Sequence, residues 1–127
     1  MDSIIIQTDM APASIGPYSQ GIVVNGWLFI SGQLGIKPET GELAGPGIAA
    51  QTNQALENIK HILSAERCDF DHVVSVDVFL TNMGDFDKFN EIYLKYFPRN
   101  RPARAVAEVS ALPKGGCIEI KCIAVQR

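Results

Sequence analysis

The chain is organised around the segment Arg101-Pro-Ala-Arg-Ala-Val-Ala-Glu-Val-Ser-Ala-Leu-Pro-Lys-Gly-Gly-Cys-Ile-Glu-Ile-Lys-Cys-Ile-Ala124. This segment is typical of two strands joined by a turn at residues 112–116, because proline and glycine favour turns. Its alternating apolar background carries two charges that a purely structural hairpin would not need, Arg104 and Glu119. We therefore expect a closing hairpin that holds these two charges on adjoining strands.

An arginine and a glutamate on adjoining strands would suit an enzyme that acts on small organic acids. The planar guanidinium of Arg104 can bind a carboxylate through two hydrogen bonds. Glu119 is an acid or base whose pKa shifts with burial and with neighbouring charges. The alternative is an ordinary surface ion pair, which the spacing alone favours because isolated charges on strands are mostly solvated.

The length of 127 residues fits one domain, residues 1–127, with a core that needs neither metal nor disulfides. Hydrophobic residues make up 46% and charged residues 20%, which argues against disorder. The formal charge of −3 argues against nucleic acid as the main partner. Without a basic amphipathic helix or an apolar stretch of transmembrane length, no membrane contact is expected.

The cysteines and the first residues favour a cytoplasmic location. Residues 1–7 lack the positive region and long apolar run of a signal peptide. Cys68, Cys117 and Cys122 are odd in number and form no Cys-x-x-Cys pair, so free thiols in a reducing compartment are expected.

The first part of the chain predicts strands and loops. Residues 4–6 form a short strand, and two prolines and a glycine exclude regular structure from residues 9–17. Asn25-Gly26 predicts a two-residue hairpin turn between strands at residues 22–24 and 27–30, the second ending at Ser31-Gly32.

From Ile48 the apolar period becomes helical, and one face carries Ile48, Thr52, Ala55, Leu56, Ile59, Ile62 and Leu63. Residues 69–72 break this pattern. Residues 73–80 are β-branched and predict a strand with Val74, Val76, Val78 and Leu80 on one face. We expect Asp85 to cap a second helix, ended by Pro98, whose apolar face carries Phe86, Phe89, Tyr93 and Phe97.

This order predicts an α+β fold. Each helix would cross over between parallel strands in the right-handed sense, giving a mixed sheet with both helices on one face. Residues 22–24, 27–30 and 123–125 are apolar at successive positions, as in strands buried on both sides. Two helices cover one side only, so another subunit is expected to cover the other.

Several short motifs stand in a particular order along the chain: Gly16-Pro-Tyr-Ser-Gln-Gly21, Ile30-Ser-Gly-Gln33, Phe89-Asn-Glu-Ile-Tyr93, Arg101-Pro-Ala-Arg104, Leu112-Pro-Lys-Gly115 and Ile118-Glu-Ile120. In this order the chain resembles the RidA (YjgF) family, the reactive intermediate or enamine/imine deaminases. The resemblance covers essentially the whole chain.

The resemblance implies a chorismate-mutase-like fold assembled as a homotrimer, with active sites in clefts between subunits. It also implies hydrolysis of small-molecule 2-imino acids, 2-iminobutanoate and 2-iminopropanoate, to 2-oxo acids and ammonia. These imines derive from enamines such as 2-aminoacrylate, which pyridoxal-phosphate-dependent dehydratases release. The resemblance implies no cofactor for the deaminase itself, and no metal is required.

Carried over by position, Arg104 matches the arginine that binds the substrate carboxylate. Glu119 matches the glutamate that handles the attacking water. Val106 stands where related proteins often have cysteine, so any role of a thiol there would be lost while backbone contacts would be kept. Further matches to pocket residues are Tyr18, Ser31, Gly32 and Asn90.

Each assignment has a structural alternative. Tyr18 could anchor a loop through its hydroxyl, and Ser31-Gly32 could simply end a strand. Asn90 could be a satisfied buried amide. His61 and His72 lack metal-ligand spacing and are expected to be solvated or capping residues.

Two other functions stay open at the level of sequence. A ribonuclease or translation inhibitor could use a basic patch, although no histidine pair is apparent for RNA cleavage; its residues would be Arg99, Arg101, Arg104 and Lys114. A non-catalytic regulator that binds small carboxylates could use Arg104 equally well. Glu119 separates the regulator from the deaminase, because binding an anion gains nothing from a nearby carboxylate, whereas directing water does.

Overall fold

Six strands and two helices make up the structure, a computed structural model that describes residues 2–127. The strands are β1 (Ser3–Ile6), β2 (Gly21–Val24), β3 (Trp27–Leu34), β4 (Val73–Leu80), β5 (Ala103–Glu108) and β6 (Ile118–Val125). The helices are α1 (Ile48–Ser64), which follows β3, and α2 (Phe86–Tyr96), which follows β4.

The strands form one mixed sheet in the order β1-β2-β3-β6-β4-β5. Strands β4 and β5 pair in parallel, and all other neighbours are antiparallel. Helix α1 packs against β3, β6 and α2, so both helices lie on one face. The predicted α+β fold, with a mixed sheet and both helices on one face, is confirmed.

The predicted closing hairpin is wrong. Strand β6 lies between β3 and β4, whereas β5 lies at the edge of the sheet beyond β4. The connection at residues 109–117 is long enough to carry the chain past β4, so the turn residues within it do not make β5 and β6 neighbours. Ile118, Ile120, Cys122 and Ala124 are buried, as a strand in the middle of a sheet requires.

The Asn25-Gly26 turn is confirmed. Asn25 has φ 51° and Gly26 has φ 79°, the left-handed conformations that a two-residue hairpin turn needs at both central positions. Strand β3 does not end at Ser31-Gly32 as expected. It continues to Leu34 through an irregularity between Ile30 and Gln33, where one extra residue interrupts the pairing with β6.

The apolar face of α1 is confirmed, since Ala55, Leu56, Ile59, Ile62 and Leu63 are all fully buried. Two polar side chains that apolar periodicity does not reveal are buried beside them. Asn58 donates to the carbonyls of Leu34 and Ile36 at 3.2 and 2.9 Å. Gln51 donates to Gly45 O at 2.7 Å and accepts from the Cys117 N–H at 2.9 Å. Both amides therefore attach loops to the helix.

Two local predictions need correction. In β4, Val74 is 40% exposed and Val73 is buried, because the pairing with β6 shifts between Val73 and Ser75 and turns Val74 out of the core face. Asp85 precedes α2 without a side-chain capping bond. The capping oxygen belongs to Asn82, whose Oδ1 accepts from the Gly84 N–H at 2.8 Å in the short 3-10 turn before the helix. The apolar face of α2 is as predicted.

The face of the sheet away from the helices is largely apolar and uncovered. Trp27 is 45% and Phe29 43% exposed. One row of directly paired residues crosses all six strands on this face: Ile5, Ile22, Phe29, Ile123, Ser75 and Ala103. The expected apolar face is confirmed, while the homotrimer that would cover it stays a prediction. Within residues 2–127, no helix has both the length and the apolar character needed to cross a membrane.

Candidate active site

Arg104 lies on the edge strand β5, on the side of the sheet that faces α2. Its Nη1 donates to Asn90 Oδ1 at 2.8 Å. Asn90 is half-buried and uses its oxygen on the arginine, so it is not a buried amide satisfied by the core. The structure thus brings together Arg104 and Asn90, two of the predicted substrate-binding residues. The ion pairs among the described residues all involve other side chains, so the surface ion-pair interpretation of Arg104 and Glu119 is wrong.

A cleft of about 260 Å³ lies beside this arginine. Arg101, Arg104, Asn90 and Asn100 supply polar groups to it, and Pro102 adds an apolar surface. A larger cleft of about 520 Å³ lies along the N-terminal segment and contains neither Arg104 nor Glu119. The chemistry of the lining and not the volume therefore selects the smaller cleft as the substrate-binding candidate.

Glu119 lies on β6, on the uncovered face, where it pairs with Leu34 and Phe79. Burial raises the pKa of its carboxyl above the ordinary value, and the positive charge of Lys121 opposes part of this rise. Its side chain lies directly over Gly32, where a Cβ would come within 2.8 Å of the Glu119 Cδ. Gly32 therefore makes the space that the carboxyl occupies.

Ser31, the residue before Gly32, bonds to the loop that carries Tyr18. Its hydroxyl donates to Ser19 O at 2.5 Å, and its N–H donates to Gln20 O at 3.0 Å. Gln20 is buried and holds the same loop, because its side chain bonds to the backbone of Thr8 and donates to two further carbonyls. Ser31 and Gly32 thus form a structured irregularity inside β3.

Tyr18 is exposed at the end of this loop. Its ring lies over Gly16, which has φ 125°, and its N–H donates to Gly16 O at 2.9 Å. The residue is 52% exposed, so burial does not anchor it in the loop. An exposed phenol beside the Ser31 loop is available to a ligand or to another subunit.

Arg104 and Glu119 do not meet within one chain. Strand β4 separates their strands, with Arg104 paired to Val76 and Glu119 paired to Phe79. Because side chains alternate along a strand, Val76 and Phe79, three positions apart, project from opposite faces. The predicted residues therefore form two groups: Arg104 with Asn90 beside the helices, and Glu119 with Gly32 and Ser31 on the uncovered face.

Val106 belongs structurally to the first group. It pairs with Val78, is half-buried and packs against the core on the same side of β5 as Arg104. The methyl groups of valine fill this position, and its backbone pairs within the sheet. Any contribution of Val106 to substrate range stays a prediction.

The sequence-based reasoning missed the aromatic surroundings of Arg104. Its Cζ lies 4.7 Å from the ring centroid of Tyr93, 5.6 Å from that of Phe89 and 5.7 Å from that of Phe86. The helical spacing of these rings predicted a core face, which is correct but does not include their contact with Arg104. No local signal indicated that Arg104, on the following strand, would lie over them.

The described residues offer no group of three or more His, Cys, Asp or Glu side chains that could hold a metal. His72 instead completes a capping box, since the Asp69 N–H donates to its Nδ1 at 3.0 Å. The three thiols are free, with Cys68 and Cys122 buried and Cys117 half-buried. These are the roles that the sequence predicted for them.

A family model described as Endoribonuclease L-PSP matches residues 8–126, and the chain belongs to this family, in agreement with the RidA (YjgF) resemblance. A Bos taurus protein named 2-iminobutanoate/2-iminopropanoate deaminase is 51% identical over 122 residues, covering 96% of this chain and 89% of its own. A putative endoribonuclease structure from Thermotoga maritima is 47% identical with a TM-score of 0.95, covering 98% of both chains.

A third relative is informative about ligands. The Escherichia coli TdcF structure with bound serine is 36% identical to this chain, with a TM-score of 0.93. It covers 98% of this chain and 99% of its own. An amino acid, which carries a carboxylate, is thus a ligand of that neighbour.

Proposed function

We propose that this chain is a hydrolytic deaminase of reactive 2-imino acids. It converts 2-iminobutanoate and 2-iminopropanoate to the 2-oxo acids and ammonia. The observation that carries the proposal is the guanidinium of Arg104, which is oriented by Asn90, lies beside a small cleft and forms no ion pair with a described residue. Relatives about half identical over nearly the whole chain carry the corresponding name, which supports the same reaction.

In this proposal Arg104 holds the substrate carboxylate. A guanidinium binds a carboxylate through two parallel charge-assisted hydrogen bonds, each worth about 1.5–3 kcal/mol. Asn90 accepts from one nitrogen and leaves other N–H donors of the fork for the ligand. Two bonds to a planar carboxylate also fix the plane of the attached imine, which orients C2 for attack.

Glu119 directs the water. Its carboxylate accepts one proton as the water oxygen bonds to C2 of the protonated imine, which gives a tetrahedral carbinolamine, and it returns that proton to the nitrogen. The C2–N bond then breaks as the C2 carbonyl forms, ammonia leaves, and the remaining hydroxyl proton passes to Glu119 or to solvent. Because imines already hydrolyse in water, positioning and proton transfer suffice and no strong nucleophile is needed. Burial raises the pKa of Glu119, which brings it nearer the value of an efficient acid-base group at neutral pH.

The complete site lies between subunits of a homotrimer. Arg104 and Asn90 of one subunit would meet Glu119, Gly32, Ser31 and Tyr18 of the next, since the two groups lie on opposite faces within one chain. The uncovered apolar face around Trp27 and Phe29 supports this assembly, because exposed apolar surface of that kind is typical of interfaces.

A coupled assay tests the reaction. A dehydratase generates the imine, and formation of the 2-oxo acid is followed with and without this protein. We expect faster formation in its presence and loss of the gain with Arg104→Ala. Tight binding of 2-oxobutanoate without any acceleration would instead indicate the non-catalytic regulator. The absence of a cofactor and a cytoplasmic location stay predictions.

A ribonuclease is the second candidate, because the matching family carries an endoribonuclease description. The four basic residues of the suggested patch are not all free for RNA. Arg99 pairs with Asp71 at 2.6 Å, and Lys114 donates to Gly41 O at 2.9 Å. RNA binding whose affinity falls steeply with salt, together with RNA cleavage, would favour this function over the deaminase.

A further inference from the structure

The guanidinium of Arg104 has an aromatic support on α2. The three rings named above all lie within the roughly 6 Å range in which a cation is attracted to a ring face. Tyr93 is the nearest, at 4.7 Å between its ring centroid and the Arg104 Cζ. Its ring is itself held by stacking on Phe97, with ring centroids 4.5 Å apart and ring planes 23° from parallel.

Asn90 and Tyr93 constrain the arginine in different ways. The hydrogen bond to Asn90 fixes one nitrogen of the guanidinium at 2.8 Å. A single hydrogen bond leaves the group free to rotate about that contact, and β5 exposes the Arg104 side chain on the edge of the sheet. A ring beneath the Cζ restricts this rotation, because the guanidinium gains most when it stays over the ring.

We propose that Tyr93 is a positioning residue that holds the plane of the Arg104 guanidinium for two-bond binding of a substrate carboxylate. This inference rests on the proposed function. Tyr93 lines the cleft beside Arg104, and its hydroxyl is buried without a hydrogen-bond partner among residues 2–127. Burial raises the pKa of this hydroxyl, and the positive charge of Arg104 opposes part of the rise, so the guanidinium lies near the whole side chain. We assign the positioning to the ring face, whose centroid lies 4.7 Å from the Arg104 Cζ.

Tyr93→Leu and Tyr93→Phe separate the ring from the hydroxyl. Leucine removes the aromatic face, and we expect KM to rise about tenfold with kcat within about threefold of the parent, the scale of one cation–π contact. Phenylalanine keeps the face and should leave KM within about twofold. Phe70→Leu is the matched control, because Phe70 packs edge-on against Tyr96 and Phe97 in the same aromatic cluster. It should lower Tm and leave KM unchanged.

A second measurement reads the arginine directly. In the parent, slow rotation of the Arg104 guanidinium should give separate side-chain NMR signals for its nitrogens, and Tyr93→Leu should average them. If Tyr93→Leu fails to fold, Phe86→Leu replaces it, since half-buried Phe86 lies 5.7 Å from the same Cζ. The expected change there is in the same direction but smaller, about threefold in KM.

The outcomes separate this inference from the proposed function. If the parent hydrolyses no imine but the guanidinium rotates freely in Tyr93→Leu, the deaminase proposal is wrong and the positioning role of Tyr93 is supported. An active parent whose KM and arginine signals are unchanged in Tyr93→Leu overturns the positioning role. Equal damage by Tyr93→Phe and Tyr93→Leu also overturns it, because the hydroxyl would then be the essential group.

Discussion

Gly32 and Glu119 are in direct contact across the irregular pairing of β3 and β6. A Cβ at position 32 would lie 2.8 Å from the Glu119 Cδ and 3.0 Å from Oε1. Contacts under about 3 Å between carbon atoms are far inside van der Waals distance, so the carboxyl must move if residue 32 gains a side chain. The position of the proposed base therefore depends on a glycine of the neighbouring strand.

Gly32→Ala should displace the Glu119 carboxyl while the sheet persists. We expect kcat to fall by about tenfold or more, because a shift of about 1 Å in a catalytic group lowers the rate strongly. The measurement is kcat and KM for 2-iminobutanoate, with circular dichroism as a check on folding. Gly47→Ala is the matched control, since a Cβ there meets nothing within 4 Å. Parental kcat in Gly32→Ala would mean that the carboxyl position is not critical.

Glu119→Gln tests the base itself. Glutamine keeps the shape and hydrogen-bonding capacity of the side chain but cannot accept the proton of water. We expect kcat to fall about a hundredfold, while binding of a 2-oxo acid is unchanged or tighter because a nearby negative charge is lost. Near-normal turnover would show that another group, such as a backbone carbonyl, activates the water.

The raised pKa of Glu119 predicts how pH acts on both rate and stability. The acid limb of kcat/KM should have its midpoint above the ordinary glutamate pKa of 4.5, because the carboxylate is the active form. Since burial disfavours the charged form in the folded state, Glu119 lowers stability above its folded pKa, and this cost disappears below pH 4.5. Glu119→Gln should therefore raise Tm at neutral pH, with the gain vanishing at acid pH. A gain that persists unchanged below pH 4 would contradict the sign.

Arg104→Lys preserves the charge and removes the planar fork. A flexible ammonium cannot fix the plane of the imine, so we expect a loss of about 2–4 kcal/mol, or about thirty- to a thousandfold in kcat/KM. The measurement is kcat/KM for 2-iminobutanoate at low and high salt, with circular dichroism matching the parent. A loss below about threefold, or one that salt abolishes, would reduce Arg104 to a steering charge.

Mixed subunits test whether sites are shared between chains. Light scattering after size exclusion should give three times the 13.8 kDa chain mass. An equal mixture of refolded Arg104→Ala and Glu119→Gln subunits should regain about a quarter of the parental activity, because that fraction of interfaces joins an intact arginine to an intact glutamate. A monomer, or a mixture that stays inactive, would rule out the shared site.

Local patterns in the sequence determined most of the secondary structure. The apolar faces of both helices and the Asn25-Gly26 turn follow from interactions among residues close in the chain, and the structure has all of them. The excess of apolar residues on strands also determined that the sheet would have an uncovered apolar face. Arg104 and Glu119 stood out because charges in apolar strands are uncommon.

Only the tertiary structure decided which strands are neighbours and which side chains meet. In its place between β3 and β4, strand β6 pairs along both of its edges and buries Ile118, Ile120, Cys122 and Ala124 on the face of the helices. This burial is a property of the whole sheet and not of residues 112–116. The place of β6 separates Arg104 from Glu119 and brings Glu119 over Gly32. The contact of Arg104 with Tyr93 likewise joins a strand and a helix through packing. Such contacts between distant residues leave no periodic signal, because their free energy comes from the assembled core.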